Sequence, residues 1–340
     1  MEDVAKRVLG PNATESDIDD FWVAHFQDCY FSGTSIGGII MLLLLMGYKV
    51  SELRRELNQD VLKNIFWANS LNPLNLLNSY KYNNTYLRVE MLKLMKKKNF
   101  SETDTFSSIS QLQKDNKVFF SVNSYCLSTN TCVFWNSEKH QNLPIIDAML
   151  MTSAAPSYFP TYWYQGKEFC DGGIYANNPS LMLLNYLYER DTTSVRECLL
   201  INIGTGFFQE TVTQPMLYFS WAYRAVTLIM NSDVLKTKNL LETLQRTQTL
   251  RYLYCDIKLK EEICLDEKDY DKLMKEYDMA EKMWTKHLES LLALNANESK
   301  NIVNSHDEIV LGASPSDSHE KHDHKQHHHQ VNLFERISHQ

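Results

Sequence analysis

Glycine is scarce in this chain, with 11 in 340 residues, and proline is scarcer still at eight. That excludes a collagen-like or glycine-rich low-complexity protein, and it makes any cluster of glycines informative. Paired cysteines are missing too. The seven stand singly at positions 29, 126, 132, 170, 198, 255 and 264, an odd and scattered set that argues against a disulfide framework or a zinc site. Reduced thiols in a cytosol-like compartment are the expectation. Positive charge is in deficit, with a formal net charge of -8, so nucleic acid is not expected as the main partner. No apolar run approaches the ~20 residues needed to span a bilayer. The longest is Ile39 to Met46, which reads as a buried helix. The opening MEDVAKRVLG has no apolar segment of the kind a signal peptide needs. Histidine is thin where a core would form: eight of 11 lie beyond residue 300, leaving His25, His140 and His287.

What remains is an ordinary globular composition, 44% hydrophobic and 22% charged, in a chain long enough for one large α/β domain. Residues 17–26 read as a helix capped by Ser16 or Asp17. A short strand near Cys29 to Phe31 leads into a glycine turn and the apolar helix. Residues 52–66 and 86–97 read as amphipathic helices joined by an Asn-rich loop. Strands are expected at VFFSVNSYCL, at CVFWN and before CDGG, and a buried strand at CLLINIGTG. Residues 215–250 and 267–294 are helical in character. A folded domain over 1–297 is expected, followed over 298–340 by a disordered tail rich in histidine.

The glycines cluster at one place. GTSIGG puts Ser35 between Gly33 and Gly37, with Gly38 next, and fits the G-x-S-x-G nucleophile elbow. A serine on a tight strand-to-helix turn has strained backbone angles, and flanking glycines relieve the collisions that follow. The helix beyond it directs free N–H groups toward the charge that develops in acyl transfer. A second constellation is EFCDGGIYANNPS, in which Asp171 precedes Gly172 and Gly173. Taken alone, Asp-Gly-Gly is simply a good turn.

Together, GTSIGG, MTSAAPSYFP (Met151 to Pro160), FCDGGIYANNP and LINIGTG stand in the order found in patatin-like acyl hydrolases, which the chain resembles from about Asp17 to Leu294. The resemblance implies a three-layer α/β fold, with a central mostly parallel sheet flanked by helices. It implies a dyad of Ser35 as nucleophile and Asp171 as proton acceptor, without histidine, metal or other cofactor. The activity implied is phospholipase A-type hydrolysis of phospholipids or other acyl lipids through an acyl-serine, in lipid catabolism. The implied setting is cytoplasmic, with peripheral contact at membranes. The thin supply of histidines agrees with a dyad.

One element of the family pattern is not found. The glycine-rich loop that supplies oxyanion donors, and the first strand before it, have no counterpart in residues 1–32, whose single glycine is Gly10. The backbone N–H of Ile36 is the one donor expected from the elbow itself. A shortened chain, an inactive lipid-binding or interaction module, and a hole rebuilt from other N–H groups are the three explanations, and the first is favoured. Among smaller signals, Lys96 to Lys98 suit either a membrane surface or a solvated helix end. Tyr158, Phe159, Trp163 and Tyr164 suit either an acyl pocket or core packing. The tail histidines, His319 to His329, form no fixed ligand set.

Overall fold

A computed structural model describes residues 12–14, 16–17, 29–67, 80–190, 198–207, 218–256, 258–260 and 263–275. The chain divides into two units, Ala24–Leu273 on one hand and Met1–Val23 with Met274–Gln340 on the other, and every element below belongs to the first. The body of the helix expected over 17–26, the Asn-rich loop over 68–79, the end of the helix expected over 267–294 and the tail lie outside the described residues, as do His25 and His287.

In chain order the elements are β1 (Tyr30–Thr34), α1 (Ile36–Leu45), α2 (Val50–Glu56), α3 (Gln59–Ile65), α4 (Asn84–Lys97), α5 (Phe106–Leu112), β2 (Phe119–Cys126), β3 (Thr131–Asn136), α6 (Ile145–Thr152), β4 (Tyr162–Tyr164), β5 (Lys167–Asp171), α7 (Gly173–Ala176), α8 (Ser180–Arg190), β6 (Leu199–Ile203), α9 (Tyr218–Arg246) and β7 (Arg251–Cys255). The expected helix over 52–66 is two helices. Asn58 starts the second, its Oδ1 accepting from the N–H groups of Asp60 and Val61 at 3.0 and 3.2 Å.

Strand β2 organises the sheet. It runs parallel to β1 and antiparallel to β3 and β5, while β4 extends the sheet antiparallel to β5. A separate pair, β6 with β7, is parallel. The architecture is thus the implied α/β sheet between helices, with parallel and antiparallel pairings both present among the described strands. Consecutive residues of β2 point to opposite faces and enter different apolar clusters. Phe120 and Val122 pack with α1, α4, α5 and α6; Phe119 packs with Leu183 and Leu187 of α8, Leu241 of α9 and Tyr252 of β7. Those two clusters are the outer layers.

Helix α1 has no polar face, and its surroundings follow from that. Leu42, Leu43 and Leu45 are wholly buried, each stabilising the fold by about 1.5–3 kcal/mol relative to exposure. The buried strand expected at CLLINIGTG is formed as β6, but Ile201 and Ile203 are exposed, so its apolar run is not an index of burial here. Tyr158 and Phe159 belong to the core around α1, whereas Trp163 is exposed on β4. Of the lysine run, Lys97 pairs with Glu56 at 2.5 Å, and Lys98 pairs with Glu52 at 2.8 Å and lies over the Tyr48 ring. Two of its three charges are therefore balanced within the fold. No helix among the described residues is long and apolar enough to cross a membrane.

Candidate active site

A strand has two edges, and β3 occupies one edge of β2 from Ser121 to Cys126. Strands β1 and β5 must therefore share the other. They do so end to end: β1 runs up it until Thr34 pairs with Asn123, and β5 comes down it until Asp171 pairs with Ser124. The residue after β1 is Ser35, and Asp171 is the last residue of β5. Head-to-head convergence on one strand thus brings together two residues 136 positions apart (171 − 35).

Ser35 has φ 55° and ψ -132°, the left-handed side of backbone space that a non-glycine residue occupies only under constraint. It stands at the N-cap position of α1, and its carbonyl accepts the first helical bond from Ile39 N–H at 3.1 Å. Its side chain makes no capping bond, although serine is a preferred capping residue, which leaves the hydroxyl for other work. The Ser35 N–H donates to Thr152 Oγ1 at 3.0 Å.

The turn is tight in a particular way. A Cβ on Gly33 would lie 2.5 Å from the Gly38 Cα, and one on Gly38 would press on the Gly33 carbonyl and Val122. A Cβ on Gly37 would meet nothing within 4 Å. The collision relieved by glycine is therefore between Gly33 and Gly38, where strand and helix cross. Gly37 borders open space beside the serine.

Asp171 is wholly buried. Burial lifts its carboxyl to about 7, against the lowering pull of the Ser35 hydroxyl and the Gly173 N–H. Gly173 N–H donates to Oδ1 at 2.7 Å, whereas Oδ2 has no partner at hydrogen-bond geometry. The Ser35 hydroxyl is thus near enough to favour the carboxylate without meeting hydrogen-bond geometry at Oδ2. Gly172 is obligatory by space: a Cβ there would sit 2.5 Å from the Asn123 carbonyl oxygen.

The segments that sequence reading singled out all surround this seam. Met151 to Pro160 begins with Thr152, which holds the Ser35 N–H, and the Ala154 carbonyl accepts from Asp171 N–H at 2.9 Å. In the Asn-Asn-Pro turn, Asn178 Oδ1 accepts from Ser180 N–H at 3.1 Å at the start of α8 and from Asn202 Nδ2 of β6 at 2.7 Å. Asp233 of α9 accepts from Asn178 N–H at 3.1 Å. Sequence reading did not identify Asn123 or Asp233, which lie in none of the four matching segments, and gave no role to Asn202 within LINIGTG. Asn123 was legible as a strand residue and Thr34 as part of the serine turn; here Asn123 Nδ2 donates to Thr34 Oγ1, which donates to the Ala176 carbonyl at 2.8 Å. His140 takes no part. Its Nδ1 accepts from Asn136 N–H at 3.1 Å, its ring packs edge-on to Trp135, and burial lowers its pKa.

A serine on a strained turn beside a buried carboxyl is an arrangement that suits acyl-transfer chemistry. Comparison with known proteins narrows the class. Residues 30–184 match the model of the patatin-like phospholipase family. Two curated relatives carry the name cGAMP-activated phospholipase. The one from Escherichia coli (strain TW11681) is 33% identical over 189 residues, covering 51% of this chain and 49% of the relative. The one from Vibrio cholerae serotype O1 (strain ATCC 39315 / El Tor Inaba N16961) is 30% identical over 213 residues, covering 55% of each. The chain spans about half the length of the curated relatives it matches.

Proposed function

We propose that this chain hydrolyses acyl ester bonds of phospholipids or related lipids, with Ser35 as nucleophile and Asp171 as the side-chain base. The observation that carries the reading is the meeting of β1 and β5 on one edge of β2, which sets the Ser35 hydroxyl against a buried Asp171 carboxylate. An ordinary aspartate, with a pKa near 3.9, is a weak base. Raised to about 7, Asp171 takes the serine proton with far less free-energy penalty while remaining ionised in a useful fraction at neutral pH. The serine oxygen then bonds to the ester carbonyl carbon, the alcohol or lysolipid leaves carrying a proton, and an acyl-serine remains. Asp171 next takes a proton from water, whose oxygen attacks the acyl carbon and frees the fatty acid and Ser35. Donors for the carbonyl oxygen come from the first turn of α1, whose N–H groups lack partners within the helix, beginning with Ile36.

Treating the full chain with a fluorophosphonate probe and assaying phosphatidylcholine vesicles tests this directly. Labelling at Ser35 together with release of fatty acid, both absent in Ser35→Ala, is the expected result. A well-folded chain that is neither labelled nor active would instead make it a non-catalytic lipid-binding or interaction module. The names of both relatives favour a second, compatible element: that turnover here rises with cGAMP. Adding cGAMP to the same vesicle assay checks it, and an unchanged rate would remove that element.

A further inference from the structure

We infer that Thr152 is a positioning residue for the dyad, acting through the backbone of Ser35; the inference rests on the reading of Ser35 as nucleophile. Its hydroxyl is wholly buried and has only one proton. That proton goes to the Asn123 carbonyl at 2.6 Å, so toward Ser35 the oxygen acts as acceptor, taking the Ser35 N–H at 3.0 Å. The direction of the chain is thereby fixed: Ser35 N–H to Thr152 O–H to Asn123 C=O. Asn123 is the β2 residue opposite Thr34, and its neighbour Ser124 is opposite Asp171. One hydroxyl at the end of α6 therefore ties the strained nucleophile to the strand that registers the base.

Two residues further on, the same segment holds the other partner, through the Ala154 carbonyl and the Asp171 N–H. The stretch from Thr152 to Ala154 is a bracket across the seam, with one end on each catalytic backbone. A residue at φ 55° persists only where its surroundings over-determine it. The Thr152 bond is one such constraint, because it satisfies a part-buried N–H that a relaxed turn would aim elsewhere. The hydroxyl also occupies the Ser35 N–H, which leaves the later N–H groups of the turn to face a developing oxyanion.

The test compares Thr152→Val, which keeps the shape and loses the hydroxyl, with Thr152→Ser, which keeps the hydroxyl. Tyr48→Phe is the control, since that buried hydroxyl donates to the Leu94 carbonyl of α4 at 2.8 Å and takes no part in the bracket. The expected result is that Thr152→Val lowers kcat and the rate of fluorophosphonate labelling by about 10- to 100-fold with KM little changed, the scale of an ångström-level misplacement. Thr152→Ser should recover to within about 3-fold of wild type, and Tyr48→Phe should match wild type. A Thr152→Val enzyme with wild-type kcat overturns the inference, as does a Thr152→Ser enzyme as impaired as Thr152→Val. Hydrogen exchange across residues 31–39 gives a readout independent of catalysis. Thr152→Val should gain fast exchange at Ser35, and unchanged protection overturns the inference even if the wild-type chain proves inactive. Lack of wild-type labelling with the expected exchange change would refute the nucleophile reading and leave the bracket standing.

Discussion

The serine turn and the aspartate turn reach the same seam from opposite directions, and they are built on opposite principles. Ser35 is partly exposed, backbone-strained and followed by a ten-residue helix whose N-terminal end lies at its own position. Asp171 is wholly buried, and the turn after it is relaxed, with Gly172 at φ -63° and ψ -17°. Under the proposed function, strain at the serine aims a side chain that must meet substrate. Burial at the aspartate tunes a side chain that must not, because desolvation is what makes it basic. The first turn spends backbone conformation and the second spends solvation, which explains why one needs a helix terminus and the other needs a core.

The widest separation between the two turns is chemical. Asp171→Asn should lower ester turnover by about 10²–10⁴-fold, the usual worth of a general base, and Ser35→Ala should remove the serine-dependent rate altogether. If the two groups act as one unit, the double variant should be no slower than Ser35→Ala alone. Steady-state assays on a nitrophenyl ester decide this. An Asp171→Asn enzyme within a few-fold of wild type would mean that the buried carboxylate is structural and the comparison fails.

Next in size is the pH dependence. If Asp171 acts as the ionised base, kcat/KM should rise about tenfold per pH unit on the acid side and level off near the raised pKa of about 7. Stability should move the other way. In the folded state the carboxyl holds its proton to a higher pH than the ordinary 3.8, so the native state binds more protons than the unfolded state between about 3.8 and 7. Unfolding free energy from this group is fully present below the unfolded pKa and falls as pH rises through the folded one. Asp171→Asn should abolish that fall, so the variant should be favoured over wild type more at pH 8 than at pH 4. Denaturant melts at the two pH values measure it, and equal differences at both would show that Asp171 is not destabilised by its burial.

Much of the serine turn could be read from the sequence, because everything it needs is local. The apolar run, the glycines and the serine are consecutive, and a helix with no polar face has to be buried. The aspartate turn was legible only by resemblance. Its environment comes from β2, from the Thr152 to Ala154 bracket and from the helix that carries Asp233, segments scattered over more than 100 positions of the chain. The end-to-end meeting of β1 and β5 has no local signature, since it is a consequence of β3 occupying the far edge of β2. Exposure in β6 was misjudged for the same reason: an apolar strand records what the residues prefer, and whether a neighbour covers them is decided elsewhere in the fold.

Space separates the glycines of the two turns, and here the effects are on stability. Gly172→Ala would place a Cβ 2.5 Å from the Asn123 carbonyl oxygen, a backbone atom inside the sheet that cannot swing aside. Overpacking of that kind costs about 1–3 kcal/mol and should move Asp171 with it, so activity and stability should fall together in parallel melts and assays.

Gly37→Ala is the opposite case and the smallest effect. Its Cβ would meet nothing within 4 Å, and the position lies in the first turn of α1, where alanine is favoured over glycine by up to about 1 kcal/mol. The fold should gain a few tenths of a kcal/mol or more, read as a higher denaturation midpoint. The open space at Gly37 adjoins the partly exposed serine, however, so a methyl group there would narrow the approach to its hydroxyl. A variant that is stabilised, labelled normally by a small fluorophosphonate and slowed chiefly on long-chain lipid would assign that glycine to substrate access. A destabilised Gly37→Ala would instead mean that the glycine is needed for the turn itself, and that the division between a strained, open serine turn and a packed aspartate turn is drawn in the wrong place.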